Sequence, residues 1–421
     1  MQLFEIVGGS RLKGTIEISG AKNSALPILA ASILGDGETV LHNVPDLVDV
    51  RQTLILLSRL GVKSERDEAG ALHLRVEDEM NAHAEYELVS KMRASVCVMG
   101  PLLAKRKRAQ VAMPGGCAIG SRPIDLHIHG LRALGADFEL VNGDILLRAK
   151  RLSGTEIFLG GPFGSSVTAT ANVMMAATLS EGRTVIASAA CEPEIADLAD
   201  FLNACGARIV GQGTPQITIE GVERLTGTEH RIAPDRIEAG TFMIATAITN
   251  GDVELRGARL EHMQAVVDRL RRVGVIIERG EKGVAVSSSR RLEPIDVTTQ
   301  PYPGFPTDLQ AQLMALLCLA DGNSVITEKV FPDRFLHVGE LNRMGARLRK
   351  EGPTVIVEGV KKLIGAPVMA SDLRASAALI LAGLIAKGTT RVHRAYHIER
   401  GYERIEEKLA GVGANIRCLK E

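Results

Sequence analysis

Tryptophan is absent and aromatic residues make up only 3% of the chain, so platforms on which nucleobases stack are scarce. Neither sign of charge is in excess. The 50 Lys and Arg balance the 50 Asp and Glu, which excludes a general nucleic-acid binder with its basic surplus. The six cysteines, at 97, 117, 191, 205, 318 and 418, include no C-x-x-C pair, so neither a zinc site nor a redox motif is indicated. Cys97 and Cys318 fall in apolar runs and read as buried filler. The start of the chain lacks a basic region followed by a long apolar run, and the longest apolar stretch, around 375–386, is too short to span a bilayer. The expectation is a soluble cytoplasmic protein with reduced thiols and no nucleic-acid or membrane partner.

What is present is an internal duplication. A helix-ending phrase recurs as Leu60-Gly-Val62, Leu134-Gly-Ala136, Cys205-Gly-Ala207, Val273-Gly-Val275, Met344-Gly-Ala346 and Val412-Gly-Ala414. Its glycines are spaced 68 to 74 residues apart, a period too regular for chance. Each closes an amphipathic stretch, such as 48–60 or 260–273, and leads into alternating segments, such as 206–210 and 216–220. The pattern predicts helix, glycine cap, strand, turn and strand. Between these phrases lie runs of small and apolar residues with few polar interruptions, at 25–40, 169–185, 240–253, 309–325 and 374–392, with a looser copy at 93–111. Such runs predict helices buried on every face. Six units in 421 residues suggest two domains of three, with sheets outside and helices inside.

The starts of the buried helices carry the chemistry. Lys22-Asn23-Ser24, Arg93-Ala-Ser95, Ser166-Val-Thr168, Asp235-Arg236, Thr307-Asp308 and Asp372-Leu-Arg374 stand there. A helix N-terminus is partly positive and offers unpaired N–H groups to an anion. Ser166, Thr307, Ser371 and Asp372 also suit plain capping, whereas Lys22, Arg93 and Arg374 cannot cap, having no acceptor. A second feature is the loop in which Gly115-Gly116 and Gly120 bracket Cys117, with Arg122 five residues on. A thiol beside an anion clamp fits chemistry on a phosphorylated substrate; the plain alternative is a surface loop with an incidental cysteine.

Six motifs, in order, carry a family resemblance. They are Ser19-Gly-Ala-Lys22-Asn23-Ser-Ala-Leu-Pro27, Pro114-Gly-Gly-Cys117-Ala-Ile-Gly-Ser-Arg122-Pro-Ile-Asp125-Leu-His127, Phe305-Pro-Thr-Asp308-Leu-Gln-Ala-Gln312, Arg334-Phe-Leu-His337, Asp372-Leu-Arg374-Ala-Ser and His397-Ile-Glu-Arg400-Gly-Tyr-Glu-Arg404. Over essentially its whole length the chain resembles the UDP-N-acetylglucosamine 1-carboxyvinyltransferases, enolpyruvyl transferases of peptidoglycan precursor synthesis. The resemblance implies an α/β fold, the inside-out α/β barrel, with two pseudo-threefold domains: 22–232, carrying the Cys117 loop, and 1–21 joined to 233–421. It implies phosphoenolpyruvate and UDP-N-acetylglucosamine as substrates, with no metal or organic cofactor.

By the same resemblance, Asp308 is the base near the sugar 3'-hydroxyl. Cys117 is the proton donor to C3 of phosphoenolpyruvate and the residue that an epoxide mimic such as fosfomycin alkylates. Lys22 is the competing donor, and the sequence leaves the two open. Lys22, Arg122 and Arg400 are implied around the phosphate, Arg334 and Arg374 at the carboxylate, and Asn23 and Arg93 completing the pocket. Asp372 and His397 are supporting residues. The nucleotide sugar is assigned Arg93, Arg122, Pro123, Ile124, Asp125, Leu126, Ser166, Val167, Thr168, Asp308 and Val330. One departure is Thr168, where the family commonly has glycine; its branched side chain either crowds the ligand or supplies a hydroxyl contact. The basic turn Lys105-Arg-Lys-Arg108 reads as a solvated face or as an anion patch. Rival readings are the sibling synthase of 5-enolpyruvylshikimate-3-phosphate, which lacks the Gly-Gly-Cys loop, a non-catalytic UDP-sugar-binding paralogue, and a nucleic-acid end-processing enzyme, which the zero net charge disfavours.

Overall fold

Every one of the six recurring glycines, Gly61, Gly135, Gly206, Gly274, Gly345 and Gly413, has a positive φ, between 80° and 108°. That left-handed conformation ends a helix cheaply only without a Cβ, which is why the phrase keeps its glycine. The computed structural model describes residues 2–113, 124–289 and 291–420. The helices closed in this way are Val48–Arg59, Asp125–Ala133, Pro193–Ala204, Gln264–Val273, His337–Arg343 and Ile405–Gly411. The helix expected from residue 260 begins only at Gln264, because Leu260–His262 forms a separate 3-10 turn.

Among the described residues the strands build six four-stranded sheets of one topology. In each, an edge strand runs parallel to its neighbour and two further strands follow antiparallel. Glu156–Phe158 lies parallel to Arg183–Ala187, which pairs antiparallel with Gln216–Glu220 and that with Arg208–Val210. Within Gln216–Glu220 the alternation is literal: Ile217 and Ile219 are buried while Gln216 and Glu220 are exposed. No sheet closes on itself among the described residues, so the expected barrel does not appear as a closed β-barrel.

The chain divides into two units. One combines the segment to Ser19 with the chain from Pro234 onward, and the other runs from Gly20 to Ala233. Strand pairing explains why the N-terminal segment belongs with the C-terminal half. Gln2–Val7 pairs with Thr389–His393 and Asn415–Lys420, and Lys13–Glu17 pairs with Asp252–Arg256. Each unit has its own apolar core and three of the sheets.

The apolar runs are helices buried nearly all round, as their composition requires. Arg236–Ile248 is buried from Ile237 on, and Leu373–Ile385 from Arg374 to Leu384. Lys22–Ala31 and Val167–Ala177 share this character. The remaining two open with a 3-10 segment: Arg93–Val98 before Met99–Arg106, and Thr307–Leu309 before Gln310–Leu317. Small residues let these helices touch. A Cβ on Gly100 would stand 2.2 Å from the carbonyl oxygen of Asn172, so only glycine permits that approach. Cys97 and Cys318 are buried filler as expected, and burial pushes both thiols up to about 12.

Candidate active site

In the unit from Gly20 to Ala233, Lys22 is the first residue of its helix, and its Nζ lies 3.3 Å from Oδ2 of the buried Asp49. Asn23 follows, half-buried. Arg93 opens its 3-10 segment, and neither of these two helix starts has a side-chain cap. Ile124 is buried and Asp125 begins the next helix. Leu126 packs against Gly161, where a Cβ would lie 3.1 Å from its Cδ1. Ser166 does cap: its Oγ accepts from the Ala169 N–H at 3.3 Å, with Val167 and Thr168 as the first helical residues. Cys117, Arg122 and Pro123 lie outside the described residues.

Thr168 is not alone. Its Oγ1 is 3.1 Å from Nε2 of His127, whose Nδ1 is 2.8 Å from the side-chain nitrogen of Asn172. Burial, with the charge of Arg93 adding, pushes the His127 imidazole down to about 3, so it is neutral at ordinary pH. His127 stood in a quoted motif without a role, and Asn172 was not singled out. The available signal was a lone amide inside an otherwise apolar helix, which must find partners.

The other unit centres on Asp308. Arg334 Nη1 donates to its Oδ1 at 2.7 Å and Arg374 Nη2 to its Oδ2 at 3.1 Å. Arg374 is 2% exposed and lies 5.2 Å over the face of Tyr402. Burial opposes its charge, but Tyr402, Asp308 and Asp235 outweigh burial and hold it firmly cationic. Its Nε and Nη1 are buried without a hydrogen-bond partner among the described residues. Beneath them, Gln312 donates to the Tyr402 hydroxyl at 3.1 Å and to the Asp308 carbonyl at 2.9 Å.

Thr307, one of the capping candidates, does not cap. Its hydroxyl donates to Oε2 of Glu328 at 2.9 Å and accepts from Arg334 at 3.1 Å. Glu328 is fully buried, and its Oε1 accepts from the Thr299 hydroxyl at 2.6 Å and from the N–H groups of Val330 and Phe331 at 2.8 and 2.9 Å. This carboxylate therefore fixes the Val330 turn and, through Thr307, the arginine on Asp308. Nothing in the local sequence signalled it.

Asp372, not Ser371, caps the helix Leu373–Ile385, accepting from the N–H groups of Arg374 and Ala375 at 2.9 and 3.1 Å. Asp235 caps Arg236–Ile248 in the same way. His397 stacks on Tyr396 at 4.3 Å between ring centres, and burial together with the neighbouring Arg400 lowers its pKa. Arg400 ends the same 3-10 segment, Ala395–Arg400.

In the basic turn Lys107 and Arg108 are exposed, as a solvated face requires, and Lys105 and Arg106 are partly buried. Lys105 pairs with Asp36 and, at 3.7 Å, with Glu79. The half-buried Arg106 donates to the carbonyls of Asn81, Leu60 and Asp78, and the Lys107 ammonium donates to the Ala104 carbonyl at 2.9 Å.

Residues 6–409 match the family model of EPSP synthase (3-phosphoshikimate 1-carboxyvinyltransferase). The chain is 52% identical over 416 residues to a UDP-N-acetylglucosamine 1-carboxyvinyltransferase of Methylacidiphilum infernorum, covering 99% of this chain and 98% of that one. It is 53% identical over 419 residues to one of Coxiella burnetii, covering 99% and 96%. Among solved structures it resembles the enolpyruvyl transferase NikO from Streptomyces tendae, with a TM-score of 0.89 at 24% identity over 100% and 99% of the two chains. It also resembles EPSP synthase from Acinetobacter baumannii, with a TM-score of 0.76 at 20% identity over 100% of both. At those identities the structural likeness speaks for the fold alone.

Proposed function

Because the chain belongs to the EPSP synthase family and, within it, to the UDP-N-acetylglucosamine 1-carboxyvinyltransferases, we propose that it moves the enolpyruvyl group of phosphoenolpyruvate onto the 3'-hydroxyl of UDP-N-acetylglucosamine, releasing phosphate. This is the first step of peptidoglycan precursor synthesis. On the molecule, the reading is carried by the Asp308 carboxylate held 2.7 and 3.1 Å from two buried guanidiniums. The six like sheets and the buried helices support an inside-out α/β barrel with three repeats in each domain.

In this reading Asp308 takes the proton of the 3'-hydroxyl as that oxygen bonds to C2 of phosphoenolpyruvate. A proton passes to the C3 methylene from Cys117 or Lys22, giving a tetrahedral centre that still bears phosphate. C3 then gives up a proton, the C2–O bond to phosphate breaks, and the double bond returns. Lys22, Arg122 and Arg400 receive the phosphate charge, and Arg334 and Arg374 the carboxylate. A carboxylate paired with two guanidiniums is a weak base. An incoming substrate carboxylate that takes over Arg334 and Arg374 therefore raises the basicity of Asp308 when the hydroxyl is in place.

The test is phosphate release with both substrates, with the product mass recorded. Release that needs both, and an enolpyruvyl-sized gain on the sugar nucleotide, supports the proposal. Release only with shikimate 3-phosphate would assign the chain to the sibling reaction, and binding of both substrates without turnover would make it a non-catalytic paralogue.

A further inference from the structure

Asn172 can sit only one way round. Its Oδ1 accepts the Gly100 N–H at 2.8 Å, and its Nδ2 donates to the Val96 carbonyl at 2.8 Å. Reversing the amide would set donor against donor and acceptor against acceptor. The second N–H on Nδ2 therefore points at Nδ1 of His127, 2.8 Å away, and Nδ1 must accept it. The imidazole, 2% exposed and neutral, then carries its proton on Nε2. Nε2–H faces the Thr168 hydroxyl oxygen at 3.1 Å and donates to it. With its oxygen engaged as an acceptor, the hydroxyl has its own proton left to give, and no acceptor for it stands among the described residues. A hydroxyl that accepts one hydrogen bond is the better donor for it. The arrangement presents a hydroxyl proton to a ligand acceptor, and a phosphate oxygen is a strong one.

We propose that Asn172 and His127 are positioning residues that set Thr168 as a one-way hydrogen-bond donor to the diphosphate of the nucleotide sugar. The inference rests on the UDP-N-acetylglucosamine reading above and adds to it the direction of one contact and the two buried residues behind it. It also chooses between the two roles open to Thr168: the branched side chain supplies a contact rather than crowding the ligand.

Two measurements test it. In calorimetry, Thr168→Val, which keeps the shape and removes the donor, is expected to weaken UDP-N-acetylglucosamine and UDP alike by roughly tenfold or more, and Thr168→Ser to restore most of the loss. In turnover the loss should fall on KM for the nucleotide sugar rather than on KM for phosphoenolpyruvate, and His127→Gln should shift the same KM. In nitrogen-15 spectra of the histidines, the signal that His127→Gln removes is expected to show the proton on Nε2 and to stay unchanged from pH 5 to 8. Wild-type affinity in a folded Thr168→Val protein, or a His127 that titrates or carries its proton on Nδ1, overturns the relay. In that event the transferase reading stands as long as the wild-type protein turns over both substrates. A wild-type protein that binds no UDP-N-acetylglucosamine overturns the relay and the reading beneath it together.

Discussion

In the unit from Gly20 to Ala233, two of the buried helices begin on cations, Lys22 and Arg93, without a side-chain cap. In the other unit, the helices that carry Arg236 and Arg374 begin beside a capping carboxylate, Asp235 and Asp372. The backbone plan is shared, down to the order of strands in each sheet. The difference lies in the first turn of each helix. A carboxylate there satisfies N–H groups and complements the helix dipole, whereas a cation works against it by roughly 0.3–1 kcal/mol. Capped ends are stable on their own, and cationic uncapped ends gain most when an anion arrives. One unit thus balances its arginines around Asp308, and the other pairs Lys22 with Asp49, leaves two helix starts without a side-chain cap, and holds a neutral, directed hydroxyl.

Asp308→Asn breaks this contrast most severely. It removes the proposed base and leaves Arg334 and Arg374 without their counter-charge. Turnover should fall on the order of 10³-fold in a phosphate-release assay, with UDP-N-acetylglucosamine still bound. Retained turnover would remove Asp308 from the chemistry. Next comes Glu328→Gln, which sets an amide N–H₂ against hydroxyl and backbone donors in a fully buried site. The expected loss is about 2 kcal/mol in denaturant unfolding, with a smaller drop in activity as Thr307 and Arg334 shift. An unchanged midpoint would show that Glu328 holds nothing in place.

The subtlest effects to read are pH slopes of opposite sign, one in each unit, because only a fraction of each falls in the pH range near neutrality. The His127 pKa is lowered in the fold to about 3, so the unfolded chain binds the extra proton. Its contribution to stability is complete above about 6.5 and is lost as pH falls towards 3. Glu238 is the reverse. Burial raises it to about 7 against the pull of Lys408, whose Nζ is 2.7 Å away. Its contribution is complete below the ordinary carboxyl range and is lost as pH rises through about 7. Each slope approaches ~1.4 kcal/mol per pH unit at most. Relative to wild type, His127→Gln should flatten the acid side and Glu238→Gln the neutral side, read from unfolding midpoints across pH. Parallel curves for either variant would remove that group from the balance.

The parts that could be read in advance were those set by neighbours along the chain. The recurring glycines announced left-handed helix ends, and all six adopt them. The Ala- and Leu-rich runs announced buried helices because few of their residues favour water. Asp372 announced a cap by lying just before its run. The Asp308 motif could be read as a candidate, but not that two arginines, 26 and 66 residues away, would close on it. Glu328 looked like any strand-end glutamate, because its four donors come from distant segments and from a turn that has no signature. Asn172 was visible as a lone amide in its apolar helix and Gln312 as one of two in its own, but their partners were not.

By itself the sequence determined the period of the chain, the buried helices, the glycine-closed helix ends and the family to which the protein belongs. These follow from steric and hydrophobic preferences acting within a few residues, and from motifs preserved whole. Only the tertiary structure decided which way the Thr168 hydroxyl faces, what Glu328 holds, and that Lys105 and Arg106 of the basic turn satisfy carboxylates and carbonyls while Lys107 and Arg108 stay exposed. The reason is that a buried polar group must be paired, and which partner it finds depends on how helices and strands far apart in the chain are packed together.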